Sequence, residues 1–408
     1  MKKLLNNLLF RVILAILLGI CCGMFFPKPL SRIFVTFNGL FGNFLSFIVP
    51  LIILGLVAPG LTGLGKSSGK WLFFTTAIAY ISTIFSGFMT LLVAYYSYPH
   101  LLASQVNLQV LKNPEDAFLK GFFTIEMPPM LNVTSALLFA FIIGIGLAYV
   151  NNNSLHNCLY GFRDIIMATI EKIIIPLLPL HIFGIFLNIT TTGQVASVIT
   201  TVIKVIVLVF VLHIFLLILQ YCIAALFDRS INPFVALKNM LPAYFTALGT
   251  SSSAATIPVS LRQAKTNGVS DSVANFVIPL CATIHLAGSM MKITAFALAV
   301  MFISNTPVNI VHFIGFMFML AITMVAAPGV PGGAIMAAIG VLQSMLGFNE
   351  PMIAFMIATY IAIDSFGTAC NVTGDGAIAI IINKLSKSDR KKYDEKTILQ
   401  AENVEVSN

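Results

Sequence analysis

The chain has 408 residues, of which 58% are hydrophobic and only 9% charged, far from the roughly 45–50% and about 25% of soluble domains. That composition excludes a soluble globular protein and describes an all-α polytopic membrane protein. The formal charge of +8 does not point to nucleic acid, because most lysines and arginines stand in short connections between apolar runs or in the tail, where they act as topology signals.

Lys2 and Lys3 precede an apolar run, but no small-residue cleavage site leads from it into a soluble mature domain, so the first run reads as a retained helix. Apolar segments at about Leu9–Phe26, Ile33–Leu61, Trp71–Tyr98, Leu131–Val150, Leu159–Leu187 and Ala196–Phe227 predict six full spans. The connection Pro99–Met130, with Asn113-Pro114-Glu115-Asp116 and Pro128-Pro129, is the longest polar excursion and reads as a flexible loop. Cys21, Cys22, Cys158, Cys222, Cys281 and Cys370 show no metal-ligand spacing and no paired framework. Because all but Cys158 lie in apolar runs, they are expected to be buried free thiols. His100, His156, His181, His213 and His312 are scattered without evident partners and read as structural.

After Asp228-Arg229-Ser230 the pattern changes. Pro233–Thr250 is largely apolar, Ser251-Ser252-Ser253 interrupts it, and Ala254–Leu261 is apolar again before Arg262 and Lys265. Each arm is too short to cross a core ~30 Å thick. A helical hairpin that enters and leaves on one side fits, with a polar tip buried in protein or lining a wet cavity. A full span follows at about Val273–Ile303, and Val308–Phe348 repeats the interrupted pattern around Pro328-Gly329-Val330-Pro331-Gly332-Gly333. A last span completes a count of eight transmembrane helices plus two re-entrant helical hairpins. Interrupted segments at corresponding positions of two halves point to a transporter's midplane site.

The last span carries Asp364, Thr368, Asn371 and Asp375 at i, i+4, i+7 and i+11 between the apolar flanks Met352–Ile363 and Ala377–Ile382. At helical period these four form one polar stripe. An ionisable group at bilayer depth costs at least ~2.5–3.5 kcal/mol, so paired aspartates there mark a site. His285 and Lys292 in the preceding span are seven residues apart and share a face. Lys292 lies too deep to reach the interface easily, which predicts a pairing with Asp364 or Asp375; for His285 a hydrogen bond in a packing seam is an equal alternative.

With the N-terminus inside, the connections expected to be cytoplasmic carry Lys66, Lys70, Arg163, Arg229, Arg262 and Lys265, and the tail carries Lys384, Lys387, Arg390, Lys391, Lys392 and Lys396. The opposite side carries chiefly Lys28, Arg32, Lys112 and Lys120. This asymmetry predicts both termini in the cytoplasm, the first hairpin opening from inside and the second from outside. Asp394–Asn408 reads as a solvated tail.

The motifs Thr250-Ser-Ser-Ser-Ala-Ala-Thr-Ile-Pro258, Gly329-Val-Pro-Gly332 and Asn371-Val-Thr-Gly-Asp375, in that order, resemble those of the dicarboxylate/amino acid:cation symporter family, the glutamate-transporter fold. The resemblance covers nearly the whole chain in layout. It implies a homotrimer in the bacterial inner membrane and an elevator-type motion of a transport domain against a scaffold. Residues 1–70 and 99–195 would form the scaffold, 71–98 and 196–387 the transport domain, and 388–408 a cytoplasmic tail. Asp364 would take a substrate's α-amino group, Asn371 and Ser253 its α-carboxylate, and backbone around Gly329 and Val330 would close over it. Ser252, Ser289, Gly367 and Thr368 complete the implied substrate set. The implied coupling set is Cys281, Thr283, His285, Lys292, Asn371 and Asp375, with Asp375, Asn371 and His285 the candidates for holding Na+. Such roles are physically sound, because a zwitterion leaves water only where each charge meets a partner, and a desolvated monovalent cation needs carbonyl oxygens plus a carboxylate.

Two departures from the family pattern bear on specificity. The arginine that holds an acidic substrate's side-chain carboxylate is replaced by Gly367, and Ser251 stands where one subgroup has another arginine. A buried carboxylate without a partner is disfavoured, so a neutral amino acid such as serine, threonine or alanine is expected, a bulkier one being admitted if Gly367 leaves room. The alternative is an acidic amino acid or C4-dicarboxylate with Lys292 as counter-charge. The family's Asn-Met-Asp-Gly-Thr reads His285-Leu286-Ala287-Gly288-Ser289, so one sodium site loses its carboxylate at Ala287 and its amide at His285; Met324 and Ala327 replace hydroxyl residues that help hold another sodium, at a site built largely from backbone. Protons or a tethered Lys292 charge are expected to replace at least one Na+.

Readings from other classes are weaker. An intramembrane aspartyl protease needs two carboxylates that share a proton, whereas Asp364 and Asp375 stand about 16 Å apart along one helix. A passive, uncoupled channel is the more serious rival. No phosphate-loop pattern is present, so ATP-driven pumping is not expected and no cofactor beyond the coupling ion is required.

Overall fold

The computed structural model describes residues 8–65, 70–102, 119, 121–131, 133–150, 152–191, 195–304, 306–324 and 332–405. They fold almost entirely into helices: α1 (Leu8–Phe25), α2 (Lys28–Gly65), α3 (Lys70–Leu102), α4 (Val133–Tyr149), α5 (Asn153–Thr169), a π-helical turn at Ile170–Ile174, α6 (Ile175–Thr191) and α7 (Val195–Phe227). The second half holds α8 (Pro233–Asn239), α9 (Leu241–Thr250), α10 (Ser253–Thr266), α11 (Asp271–Ile284), α12 (Ala287–Ile303), α13 (Ile310–Met324), α14 (Gly333–Leu346), α15 (Glu350–Ala362) and α16 (Asp364–Glu405). Among the described residues six helical stretches are long and apolar enough to cross a membrane: Lys28–Leu56, Lys70–Leu102, Asn153–Asn188, Ile199–Phe227, Asp271–Ile303 and Asp364–Ser386.

The second half contains two pairs of short helices, α9 with α10 and α13 with α14. In the first, α9 ends at Ser251, which adopts a left-handed backbone (φ 51°), and Ser252 caps α10 by accepting the amide of Ala255 at 3.3 Å. Small hydroxyl residues suit this tip because they satisfy helix-end amides that apolar residues leave bare. In the second, α13 and α14 are the arms; Gly329 and Val330, expected to close over a substrate, and Ala327 lie outside the described residues. Gly332 opens α14 with φ +76°, a conformation that glycine adopts without strain.

The span expected to run unbroken through Val273–Ile303 is two helices. After α11, His285 and Leu286 leave helical geometry (ψ 102° and 38°), and α12 starts at Ala287. Side chains from other helices satisfy the opened backbone. Thr83 accepts the amide of Leu286 at 3.2 Å, Ser86 donates to the carbonyl of Ala287 at 2.7 Å, and Asn371 accepts the amide of Gly288 at 2.7 Å. Irregular backbone at bilayer depth is tolerated only with such partners. Apolar runs carry no mark of this break, which is why hydropathy missed it. The last span is likewise interrupted, at Ile363, which places Asp364 at the start of α16.

The helix α16 is the hub of the second half, packed against α7, α9, α10, α11 and α12, while α12 also packs on α3 and α15. In the first half α1 lies on α6, and α2 on α4, α5 and α6. Of the six free cysteines only Cys281 and Cys370 are buried; Cys21 and Cys158 are exposed and Cys22 and Cys222 intermediate. Apolar helices in a membrane present many side chains outward, so an apolar run does not by itself imply burial.

Candidate functional site

The stripe on α16 is buried throughout: Asp364, Thr368, Asn371 and Asp375 are all less than a tenth exposed. Two basic groups from the broken span meet its two acids. Lys292 Nζ donates to Asp364 Oδ1 at 3.0 Å, and His285 Nδ1 lies 2.9 Å from Asp375 Oδ1. Both pairs are almost completely excluded from solvent.

Asp364 is held on both oxygens. While Oδ1 takes the Lys292 ammonium, Oδ2 accepts the backbone amide of Gly332 at 2.7 Å. The carboxylate thus sits at the N-terminal ends of its own helix and of α14, where helix dipoles favour negative charge. The ammonium also lies 3.7 Å from the centre of the Tyr360 ring, a cation–π contact. Tyr360 donates its hydroxyl proton to Ser289 Oγ at 3.0 Å, and Asn371 Nδ2 donates to the same oxygen at 3.2 Å.

Gly367, where room for a larger substrate was expected, provides none. A Cβ there would collide with Cε and Nζ of Lys292, whose side chain fills the notch. Gly288 faces the same helix equally closely, since a Cβ on it would stand 2.6 Å from the Gly367 carbonyl oxygen. The two glycines let α12 and α16 approach until the lysine reaches the aspartate.

Around Asp375, His285 Nε2 lies 3.0 Å from Ser82 Oγ, which also accepts a hydrogen bond from Gln220 Nε2 at 3.0 Å. The Oε1 atom of Gln220 is buried and lacks a hydrogen-bond partner among the described residues. Tyr221 donates to the Thr373 carbonyl at 2.9 Å. Gly374 admits this cluster: a Cβ on it would stand 2.6 Å from His285 Cε1.

The other expected residues are placed less centrally. Ser253 is buried at the first hairpin tip, next to the capping Ser252. Thr368 donates to the carbonyl of Asp364 at 3.1 Å. The Cys281 carbonyl is taken by the amide of His285 at 2.9 Å. Thr283 is exposed and donates to the Leu280 carbonyl at 2.7 Å, so its hydroxyl does not join the Asp375 cluster. Two histidines expected to lack partners have them: His181 Nδ1 lies 3.2 Å from Asn38 Oδ1, and His312 Nε2 contacts the Met345 carbonyl.

Ser82, Gln220 and Tyr360 were not anticipated. Gln220 has a detectable signal, because it follows His213 by seven residues in the otherwise apolar stretch of α7 after Lys204. His213 is itself buried, and its Nε2 has no hydrogen-bond partner among the described residues. A cavity of about 790 Å³ bordered by Asn38, His181, Asn188 and Glu350 involves none of the predicted site residues.

The family model for the sodium:dicarboxylate symporter family matches residues 8–385. The chain belongs to that family. It is a multi-pass membrane protein of glutamate-transporter-like fold, and the family and the relatives it matches are transporters, not enzymes. The serine/threonine transporter SstT of Acinetobacter baumannii is 26% identical over 384 residues, which are 90% of this chain and 94% of that protein. The human excitatory amino acid transporter 1 is 32% identical over 164 residues, 40% of this chain and 30% of that protein, so the match spans under a third of its length. The bovine protein of the same name matches to the same extent.

Proposed function

We propose that this symporter takes up a small neutral amino acid, serine, threonine or alanine, by elevator-type alternating access. The observation that carries this is the Lys292–Asp364 pair. One fixed cation and one fixed anion are complementary to a zwitterion, whose ammonium and carboxylate each exchange one partner for another. An acidic amino acid would add a further carboxylate, and a C4-dicarboxylate would do so while lacking the ammonium, with Gly367 in place of the family's arginine. Burying such a charge without a partner costs several kcal/mol. Likeness to a serine/threonine transporter over nine tenths of the chain points the same way.

For coupling, the geometry favours protons, or the protein's own bases, over at least one sodium ion. His285 covers the carboxylate of Asp375 that a sodium ion would need. When the imidazole is neutral, the Ser82 hydroxyl donates a hydrogen bond to Nε2; when it is protonated, Nε2–H donates to Ser82 Oγ and a flip of the Gln220 amide offers Oε1 as acceptor for the serine hydroxyl. The network therefore has a hydrogen-bonded arrangement for either state.

The packing of α1 on α6 and of α2 on α4, α5 and α6, with α14 and α15 as the main elements that meet them from the second half, supports a scaffold of residues 1–70 and 99–195 carrying a transport domain of 71–98 and 196–387. Homotrimeric assembly, residence in a bacterial inner membrane, cytoplasmic termini and re-entrant hairpins complete the proposal. The test is uptake of a neutral amino acid panel, with aspartate and succinate, into proteoliposomes under separately imposed sodium and proton gradients. Accumulation of a neutral amino acid supports the reading. Aspartate or succinate accumulation would assign Lys292 the arginine's role, and equilibration without accumulation would mean a channel.

A further inference from the structure

We infer that Lys292 is a tethered occupant of the amino-group subsite: its ammonium neutralises Asp364 in the empty carrier and must be displaced by the substrate's ammonium. This rests on the amino acid symport reading. The argument begins with the geometry of the carboxylate. Asp364 is buried, its Oδ1 meets Lys292 Nζ at 3.0 Å, and its Oδ2 holds the Gly332 amide at 2.7 Å. An ammonium therefore already stands where an amino acid's own ammonium would bind.

The lysine is built to sit there. Its side chain fills the notch at Gly367, its head lies on the face of Tyr360 at 3.7 Å, and it reaches towards the carbonyls of Ile363 and Asp364 at 3.5 and 3.4 Å. Besides Asp364, its neighbours are the neutral Tyr360 face and those two carbonyls, so once substrate leaves the carboxylate is the one charged partner among them and the ammonium returns to it.

The consequence concerns the return half of the cycle. A carrier that comes back empty must bury Asp364 without substrate, and an unpaired buried carboxylate is strongly disfavoured. Lys292 supplies the partner permanently. Wild-type carrier therefore returns without a counter-transported inorganic cation, and the second oxygen of the paired carboxylate keeps its bond to the start of α14.

The test separates net uptake from exchange. Proteoliposomes holding wild type or Lys292→Gln are assayed for net accumulation of labelled serine, threonine or alanine, and for exchange against the same unlabelled amino acid inside. Exchange needs no empty return. Because Lys292 also faces the substrate, both modes should fall in Lys292→Gln, but the loss of net uptake is expected to be at least tenfold greater than the loss of exchange, and potassium placed inside should partly recover net uptake while leaving exchange unmoved. Equal loss of both modes, or no loss of either, overturns the inference. A second measurement needs no variant: wild-type net uptake should be equal with potassium or with the bulky cation N-methyl-D-glucamine inside, and a requirement for an internal inorganic cation would overturn the idea even if Lys292→Gln fails to fold. Absence of neutral amino acid exchange in wild type would instead sink the substrate reading on which the inference rests.

Discussion

His285 Nδ1 lies 2.9 Å from Asp375 Oδ1, with the two side chains 0% and 1% exposed. Removing one member of such a pair leaves a buried carboxylate uncompensated, typically at a cost of about 3–5 kcal/mol. His285→Asn should therefore lower the melting temperature of the detergent-solubilised protein by several degrees, and added sodium should recover part of the loss by taking the vacated position. The measurement is a thermal melt in sodium against N-methyl-D-glucamine chloride. An unchanged melt, or recovery that is equal in both salts, would rule out an ion site on Asp375.

Gly367 and Lys292 occupy one another's space, so their substitutions should be strongly coupled. Gly367→Ala forces the lysine out of its notch, an overpacking expected to destabilise by about 1–3 kcal/mol. In Lys292→Ala the notch opens, and Gly367→Arg combined with it should restore the family's counter-charge and shift uptake from neutral amino acids towards aspartate. Competition between labelled serine and aspartate in cells carrying the double variant checks this. Continued preference for serine would mean that position 367 does not set substrate charge.

Asn371 is expected to serve structure as well as substrate, because its Oδ1 takes the Gly288 amide at 2.7 Å and its Nδ2 reaches Ser289 at 3.2 Å. Asn371→Ala leaves the Gly288 amide buried without an acceptor, at about 1–3 kcal/mol. Both thermal stability and uptake should fall. Loss of uptake with an unchanged melting temperature would assign the amide to substrate alone.

At the edge of the bundle, burial pushes the Asp228 carboxyl upward, but hydrogen bonds from Ser230 and Lys384 outweigh it and hold the group below its ordinary value. A carboxyl depressed in the folded state contributes stability above its unfolded pKa of about 3.9, and that contribution is lost as pH falls through the folded-state value. The difference in melting temperature between wild type and Asp228→Asn should be small at pH 7 and shrink between about pH 5 and 3. A difference that is constant across that range would show that the carboxylate charge plays no part.

Hydropathy, the interrupted hairpins and the spacing of Asp364, Thr368, Asn371 and Asp375 are local properties of the chain, so membrane class, the stripe and the family motifs were legible in the sequence. Even the need of Lys292 for an acidic partner followed from its depth in an apolar run. What the sequence could not order was the choice of partner. Lys292 meets an acid 72 positions away and His285 one 90 positions away, and two bases facing two acids allow either matching until the helices are packed. The break at His285 was hidden for the same reason, since its backbone is satisfied by Thr83, Ser86 and Asn371 from two other helices. Gly367 reads in sequence as a vacancy, and only the approach of α12 shows it filled by a lysine. Composition and period decide which segments enter the membrane, because transfer from water depends on each segment's own surface; pairing of buried charges is decided by tertiary packing, because their strength depends on distances of a few ångströms between elements remote in the chain.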